Sequence, residues 1–140
     1  MRKNIEYPER PIAGVGVVVF RNEEVLLVKR KKAPYKGQWS IPGGKQRLGE
    51  TVTQAARREL MEETGVEVNE LTLIDVIDIM VPDEEGKILY HYIVADFRAH
   101  WLSGECIPRD DALDVQWFNL NKLSSISLFC LLYTSDAADE

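Results

Sequence analysis

The stretch Gly44–Val66, GKQRLGETVTQAARRELMEETGV, constrains this chain more than any other. It follows Pro42-Gly43, and the Pro-Gly-Gly run predicts a turn that brings backbone close to something and leaves carbonyls unpaired. A helix is expected from near Thr51 to Gly65, a C-terminal stop signal. At helical spacing Val52, Ala55 and Ala56 form one apolar stripe, and Glu59 falls in its middle one turn further on. Glu62 and Glu63 are its i+3 and i+4 neighbours. Three carboxylates thus converge on the side that otherwise points at the core.

Crowded carboxylates repel one another and hold protons more tightly. A divalent cation removes the conflict, because Mg²⁺ takes hard oxygen ligands. The competing reading is a solvated acidic face carrying i, i+4 ion pairs, and the position of Glu59 on the apolar stripe argues against it. The spacing then adds a specific signal. Gly44 is followed by five residues and Glu50, then by seven and Arg58-Glu59-Leu60, then by one and Glu62-Glu63, then by one and Gly65-Val66.

This pattern resembles the complete box of the Nudix hydrolases, and weaker resemblance extends from about Tyr7 to about Leu123. The resemblance implies an α/β fold, an α/β/α sandwich with a mixed β-sheet and the box helix packed on it. It also implies hydrolysis of a nucleoside diphosphate linked to another group, with Mg²⁺ (or Mn²⁺) as cofactor. Carried over position by position, Glu59, Glu62 and Glu63 and the backbone carbonyl of Gly43 match metal ligands. Glu50 and Arg58 match residues that orient those carboxylates, and with them complete the catalytic set. A late loop often supplies one more acidic group. Asp111 is the candidate, with Asp110 and Glu105 behind it. Arg30 matches in position an arginine that contacts phosphate in nucleotide-sanitising relatives, and Lys45 is the second phosphate cation; for both, a solvated side chain is the alternative. Metal ions would polarise phosphoryl oxygens and lower the pKa of a bound water, and a carboxylate would take the proton. Which carboxylate does so stays open.

The remaining sequence bounds the partners. A length of 140 residues suits one domain. A net charge of −6 argues against broad nucleic-acid or anionic-membrane binding. Two cysteines, Cys106 and Cys130, form no disulfide framework and suit a reducing, cytoplasmic setting. The N-terminus lacks the apolar region of a signal peptide, and no apolar run approaches a membrane span. The partners expected are a small nucleotide substrate, with a homodimer left open.

Strands are expected at Ile12–Phe20, Val25–Val28, Trp39–Ile41, Leu71–Met80, Ile88–Phe97 and Val115–Phe118, with a helix beginning at Asn119–Leu123. Gly14 and Gly16 suggest a close approach of ligand or of backbone, with packing alone as an equal alternative. Trp39 is read as core, and His91 as a surface or satisfied histidine. The tail Cys130–Glu140, CLLYTSDAADE, reads as the translation of a transposon adapter used in sequencing libraries. The native domain is therefore expected to span residues 1–129, its C-terminal helix cut short. Without the tail's three acidic residues its charge is −3.

Outside the box, YPERP, GVGVVVF and PYKGQWSIPGG resemble small ADP-ribose pyrophosphatase-like members. Pro82, sixteen positions after Val66, matches a marker of ADP-ribose hydrolysis, though a hairpin-loop proline is common. The motif of the NADH branch is absent after Val66. ADP-ribose or a similar ADP-sugar is the expected substrate. Nucleoside triphosphates are the alternative, and a non-catalytic nucleotide-sugar sensor is a third reading, which an intact box disfavours.

Overall fold

The computed structural model describes residues 5–31, 35–107 and 112–125. Eight strands and one α-helix are seen among them: β1 (Ile12–Arg21), β2 (Glu24–Arg30), β3 (Trp39–Ser40), β4 (Gly43–Lys45), α1 (Val52–Thr64), β5 (Glu67–Val68), β6 (Thr72–Pro82), β7 (Ile88–Ser103) and β8 (Ala112–Asn119). A 3₁₀ segment, Leu120–Ser125, stands where an α-helix was expected to begin.

The valine-rich β1 is central. It pairs in parallel with β7 from Ile12–Tyr92 to Phe20–His100. Its other edge is shared by β4, opposite Gly14–Gly16, and by β2, opposite Phe20–Arg21. The remaining ladders are antiparallel, so the sheet is mixed as expected. Alternation sends Val15, Val17 and Val19 to one face, where they pack with Ala55, Ala56 and Leu60 of α1 and with Phe97 of β7. The opposite face buries Val18, Val25, Leu27 and Ile41, with Phe20, Trp39 and Phe118 packed against them. Trp39 stands edge-on to Phe118 at 4.8 Å, in keeping with its reading as core.

Two expectations are corrected. Pro42-Gly43-Gly44 is no open turn, because Gly43 and Gly44 lie in β4 opposite Gly16 and Val15. A side chain at Gly43 would strike the Val15 carbonyl, so the glycine is what lets β4 close on β1. At Gly14 the close approach is of backbone, since a Cβ there would meet the Gly44 carbonyl at 3.1 Å; at Gly16 it is packing, since a Cβ would lie 2.5 Å from Asp96 Oδ1 and 2.9 Å from Ile41. Second, Val52 is exposed, and the buried stripe of α1 is Ala55, Ala56, Leu60 and Thr64. No helix among the described residues is long and apolar enough to cross a membrane.

Candidate active site

Both ends of α1 are fixed by local chemistry. Thr51 caps the first turn by accepting from the Gln54 N–H, while the Gln54 side chain accepts from the Thr51 N–H. Gly65 closes the helix in the left-handed conformation, φ 78°, with its N–H on the Met61 carbonyl. Between these ends the helix lies on β4 and presents the box carboxylates along that contact.

Arg58 is the hub. Its Nε and Nη2 donate to the two oxygens of Glu50 at 2.5 and 3.0 Å, a bidentate fork. Nη1 donates to Glu59 at 3.0 Å and to Glu62 at 3.1 Å, and Nη2 also donates to the Lys45 carbonyl at 2.9 Å. One guanidinium thus ties three carboxylates to β4. Glu63 is held separately: its Oε1 accepts from the Gly43 N–H at 3.0 Å. The Glu59 carboxylate rests against Gly44, where a Cβ would lie 2.5 Å from both its oxygens.

The loop before the helix braces Glu50. Its carboxylate accepts from the Arg47 N–H at 2.9 Å, and its carbonyl accepts from Gln46 Nε2. Arg47 Nη2 also reaches Glu62 at 3.5 Å. The sequence reading missed Arg47 and Gln46. The loop's only legible sign is Thr51-x-x-Gln54, a capping signature that fixes where the helix begins and therefore where the loop is anchored.

Two carboxylates on the same guanidinium titrate in opposite directions. Hydrogen bonds from Arg58, then from the Arg47 N–H, hold Glu50 down at about 2. Burial pushes Glu59 up, and Arg58 offsets this only in part. The Arg58 guanidinium is held more firmly charged, chiefly by Glu50. Burial wins at Glu59 because its side chain lies under α1 against β4, whereas the bidentate fork and backbone donor win at Glu50.

The donor set suits a hard divalent cation. Four carboxylates, Glu50, Glu59, Glu62 and Glu63, face two guanidinium groups, Arg47 and Arg58, which leaves an excess of negative charge on all-oxygen donors. Half-buried Glu59 carries a desolvation cost that a cation would relieve. As the side chains stand, no three His, Cys, Asp or Glu groups among the described residues converge on one point. The glutamates are turned toward Arg58 and the Gly43 N–H instead.

The other candidates scatter. Lys45 is exposed at the end of β4 and joins the cluster through its carbonyl. Arg30 lies at the end of β2, its N–H on the Gln38 carbonyl and its charge acting on the Tyr92 phenol. Glu105 is exposed after β7, and Asp110 and Asp111 lie outside the described residues. His91 meets Asp78 across the β6–β7 ladder at 3.1 Å, as befits a satisfied surface histidine. Pro82 ends β6, and the Tyr7 hydroxyl donates to the adjacent Asp83 at 2.8 Å. Tyr7 of the YPERP segment thus reaches the hairpin that follows Pro82.

Comparison with known proteins agrees with this architecture. An ADP-ribose pyrophosphatase of Methanocaldococcus jannaschii is 32% identical over 84% of this chain and 67% of its own length. An oxidized purine nucleoside triphosphate hydrolase of Danio rerio is 37% identical over 76% of this chain and 65% of its own. The chain thus spans about two thirds of each relative. The crystal structure of a MutT NUDIX hydrolase from Burkholderia pseudomallei superposes with a TM-score of 0.72 at 35% identity, covering 81% of this chain and 86% of that one. The NUDIX domain family matches residues 10–132. With the box helix laid on a mixed sheet and its carboxylates gathered at β4, this chain belongs to the Nudix family of hydrolases.

Proposed function

We propose that this Nudix pyrophosphatase cleaves ADP-ribose, or a closely similar ADP-sugar, to AMP and a sugar phosphate. The observation that carries the reading is the gathering of Glu50, Glu59 and Glu62 by Arg58 beside Glu63 on Gly43. Glu59, Glu62, Glu63 and the Gly43 carbonyl are the oxygens that would hold Mg²⁺ or Mn²⁺. When bound, the metal supplies charge neutralisation on the phosphoryl oxygens and a more acidic water. The chain's own part is positioning. Arg58 fixes the carboxylate directions, Glu50 fixes Arg58, and the Lys45 carbonyl ties that guanidinium to β4. Water adds to one phosphorus, the bridging P–O bond breaks, and a box carboxylate takes the water proton. Attack at either phosphorus gives the same two products. Lys45 and Arg30 are the proposed phosphate cations.

Support for the ADP-sugar comes from the relative of that activity and from the contact between the Tyr7 segment and the hairpin that carries Pro82. The triphosphate reading is favoured by the Danio rerio relative and fits Arg30 and Lys45 equally well. Specificity constants for ADP-ribose, 8-oxo-dGTP and common nucleoside triphosphates, measured side by side with Mg²⁺, separate the two. A higher constant for ADP-ribose is expected; a clear preference for any triphosphate overturns the substrate assignment.

A further inference from the structure

We propose that Arg47 binds the phosphates of the substrate: its guanidinium, which rests against Glu62, is given up to phosphoryl oxygens when the nucleotide enters. A nucleoside diphosphate derivative brings negative charge to a cluster that already holds four carboxylates against two guanidinium groups. Beside any metal, a cation that solvent can reach has to meet that charge.

Arg58 is not that cation. Its guanidinium is spent on Glu50, Glu59, Glu62 and the Lys45 carbonyl, and only 17% of its side chain is exposed. Arg47 differs on both counts. Its side chain is 65% exposed and, among the described residues, meets only Glu62, at 3.5 Å. That distance is the outer limit of a hydrogen bond, and an ion pair so long and so exposed holds weakly. A phosphate offers the planar guanidinium two oxygens at once, a better match than this single long contact.

The main chain keeps the group at the cluster. The Arg47 N–H donates to the Glu50 carboxylate at 2.9 Å, and its carbonyl accepts from the Glu50 N–H at 3.1 Å. One residue earlier, the Gln46 N–H donates to the Ala13 carbonyl at 3.1 Å. Gly49 takes the left-handed conformation, φ 85°, and closes the loop before Thr51. The loop is thus tied to the Glu50 carboxylate and to the chain at the start of β1, while the side chain projects into solvent beside Glu62. Its charge reaches Glu50 and Glu59 as well. The competing reading is a solvated loop arginine paired with Glu62 incidentally, which requires nothing of the substrate. The inference rests on this cluster being the pyrophosphatase centre, and not on ADP-ribose being the nucleotide cleaved.

Steady-state kinetics of R47Q and R47K with ADP-ribose and with 8-oxo-dGTP in saturating Mg²⁺ test it, together with Mn²⁺ binding by electron paramagnetic resonance without nucleotide. For whichever compound the wild-type chain prefers, R47Q is expected to raise KM about ten- to hundredfold, as loss of a charge-assisted bond should, with a smaller fall in kcat. Inhibition by inorganic pyrophosphate should weaken in parallel, which puts the contact on phosphate. R47K keeps the charge without the fork and should fall between R47Q and wild type. Mn²⁺ should bind R47Q roughly twofold to fivefold more tightly, because a positive charge has left Glu62. Circular dichroism checks that each variant is folded, and R47K carries the test should R47Q fail that check. Unchanged KM, or unchanged inhibition by pyrophosphate, in a folded variant overturns the proposal. So does weaker Mn²⁺ binding with the loss confined to kcat, which would make Arg47 a brace for Glu62 and nothing more. A wild-type preference for 8-oxo-dGTP bears on the substrate assignment alone.

Discussion

Replacing Gly44 with alanine should damage turnover while sparing the fold. Gly44 does not use the left-handed backbone region, so alanine is tolerated locally. Its Cβ would lie 2.5 Å from both Glu59 oxygens, against about 3.4 Å for ordinary contact, so the carboxylate must retreat by about 1 Å. A misplacement of that size costs on the order of 10²-fold in rate, about 2.7 kcal/mol in the barrier. Stability should fall by no more than about 1 kcal/mol, because only the far end of a flexible side chain moves and alanine stiffens the unfolded chain. Gly43→Ala is the contrast. Its Cβ would collide with the Val15 carbonyl and lie 2.9 Å from the Gly16 Cα, so β4 would have to part from β1 at a cost of about 1–3 kcal/mol. Steady-state kinetics and thermal melts of both variants separate the two effects. G44A turnover within about threefold of wild type would show that Glu59 need not stay where Gly44 lets it rest. A G44A melting point lowered as far as that of G43A would show that the strain spreads beyond Glu59.

Arg58→Lys should reduce turnover roughly 10–100-fold, because an ammonium cannot reproduce the fork on Glu50 together with the bonds to Glu59, Glu62 and the Lys45 carbonyl; unchanged turnover and unchanged Mn²⁺ affinity by electron paramagnetic resonance would contradict this. Burial pushes the Cys106 thiol up to about 11, so peptide-resolved alkylation at pH 8 should be slower than for a free thiol. Its contribution to stability is fully present below the unfolded value of 9.0 and is lost as pH rises from there toward about 11; a flat melting temperature across that window would count against it. Removing Cys130–Glu140 should leave turnover unchanged, and a truncated chain that no longer folds would refute the adapter origin of the tail.

The end of the box helix was legible to the residue because Gly65 is a chemical stop, left-handed in the structure, whereas the Thr51–Gln54 capping box that fixes its start went unread. Its apolar stripe was misjudged at Val52 because the first turn of α1 leaves that residue in solvent, which periodicity cannot reveal. β4 was read as a turn because a three-residue strand owes its existence to a partner, here Gly14–Gly16 of β1, far away in sequence. β7 continues past Phe97 to Ser103 for a similar reason, since β5 pairs with its end through Val68 and Trp101. At the site, helical spacing put Glu59, Glu62 and Glu63 at neighbouring positions of α1, but Arg58 as the partner of Glu50, Glu59 and Glu62 entered through family resemblance alone. Arg47 and Gln46 act partly through backbone contacts whose partners follow from loop geometry, and neither residue type announces that role.

Glu59, Glu62 and Glu63 are proposed to make the pyrophosphatase activity of this chain metal-dependent. Chromatography of AMP released from ADP-ribose, with Mg²⁺, with excess chelator, and with the E63Q variant in Mg²⁺, tests it most directly. Glutamine at position 63 can still accept the Gly43 N–H through its amide oxygen, so the variant removes charge while keeping the contact. AMP and a sugar phosphate are expected in equal amounts with metal, none above background with chelator, and turnover lowered on the order of a hundredfold or more in E63Q. Release of AMP that survived both chelation and the substitution would contradict it.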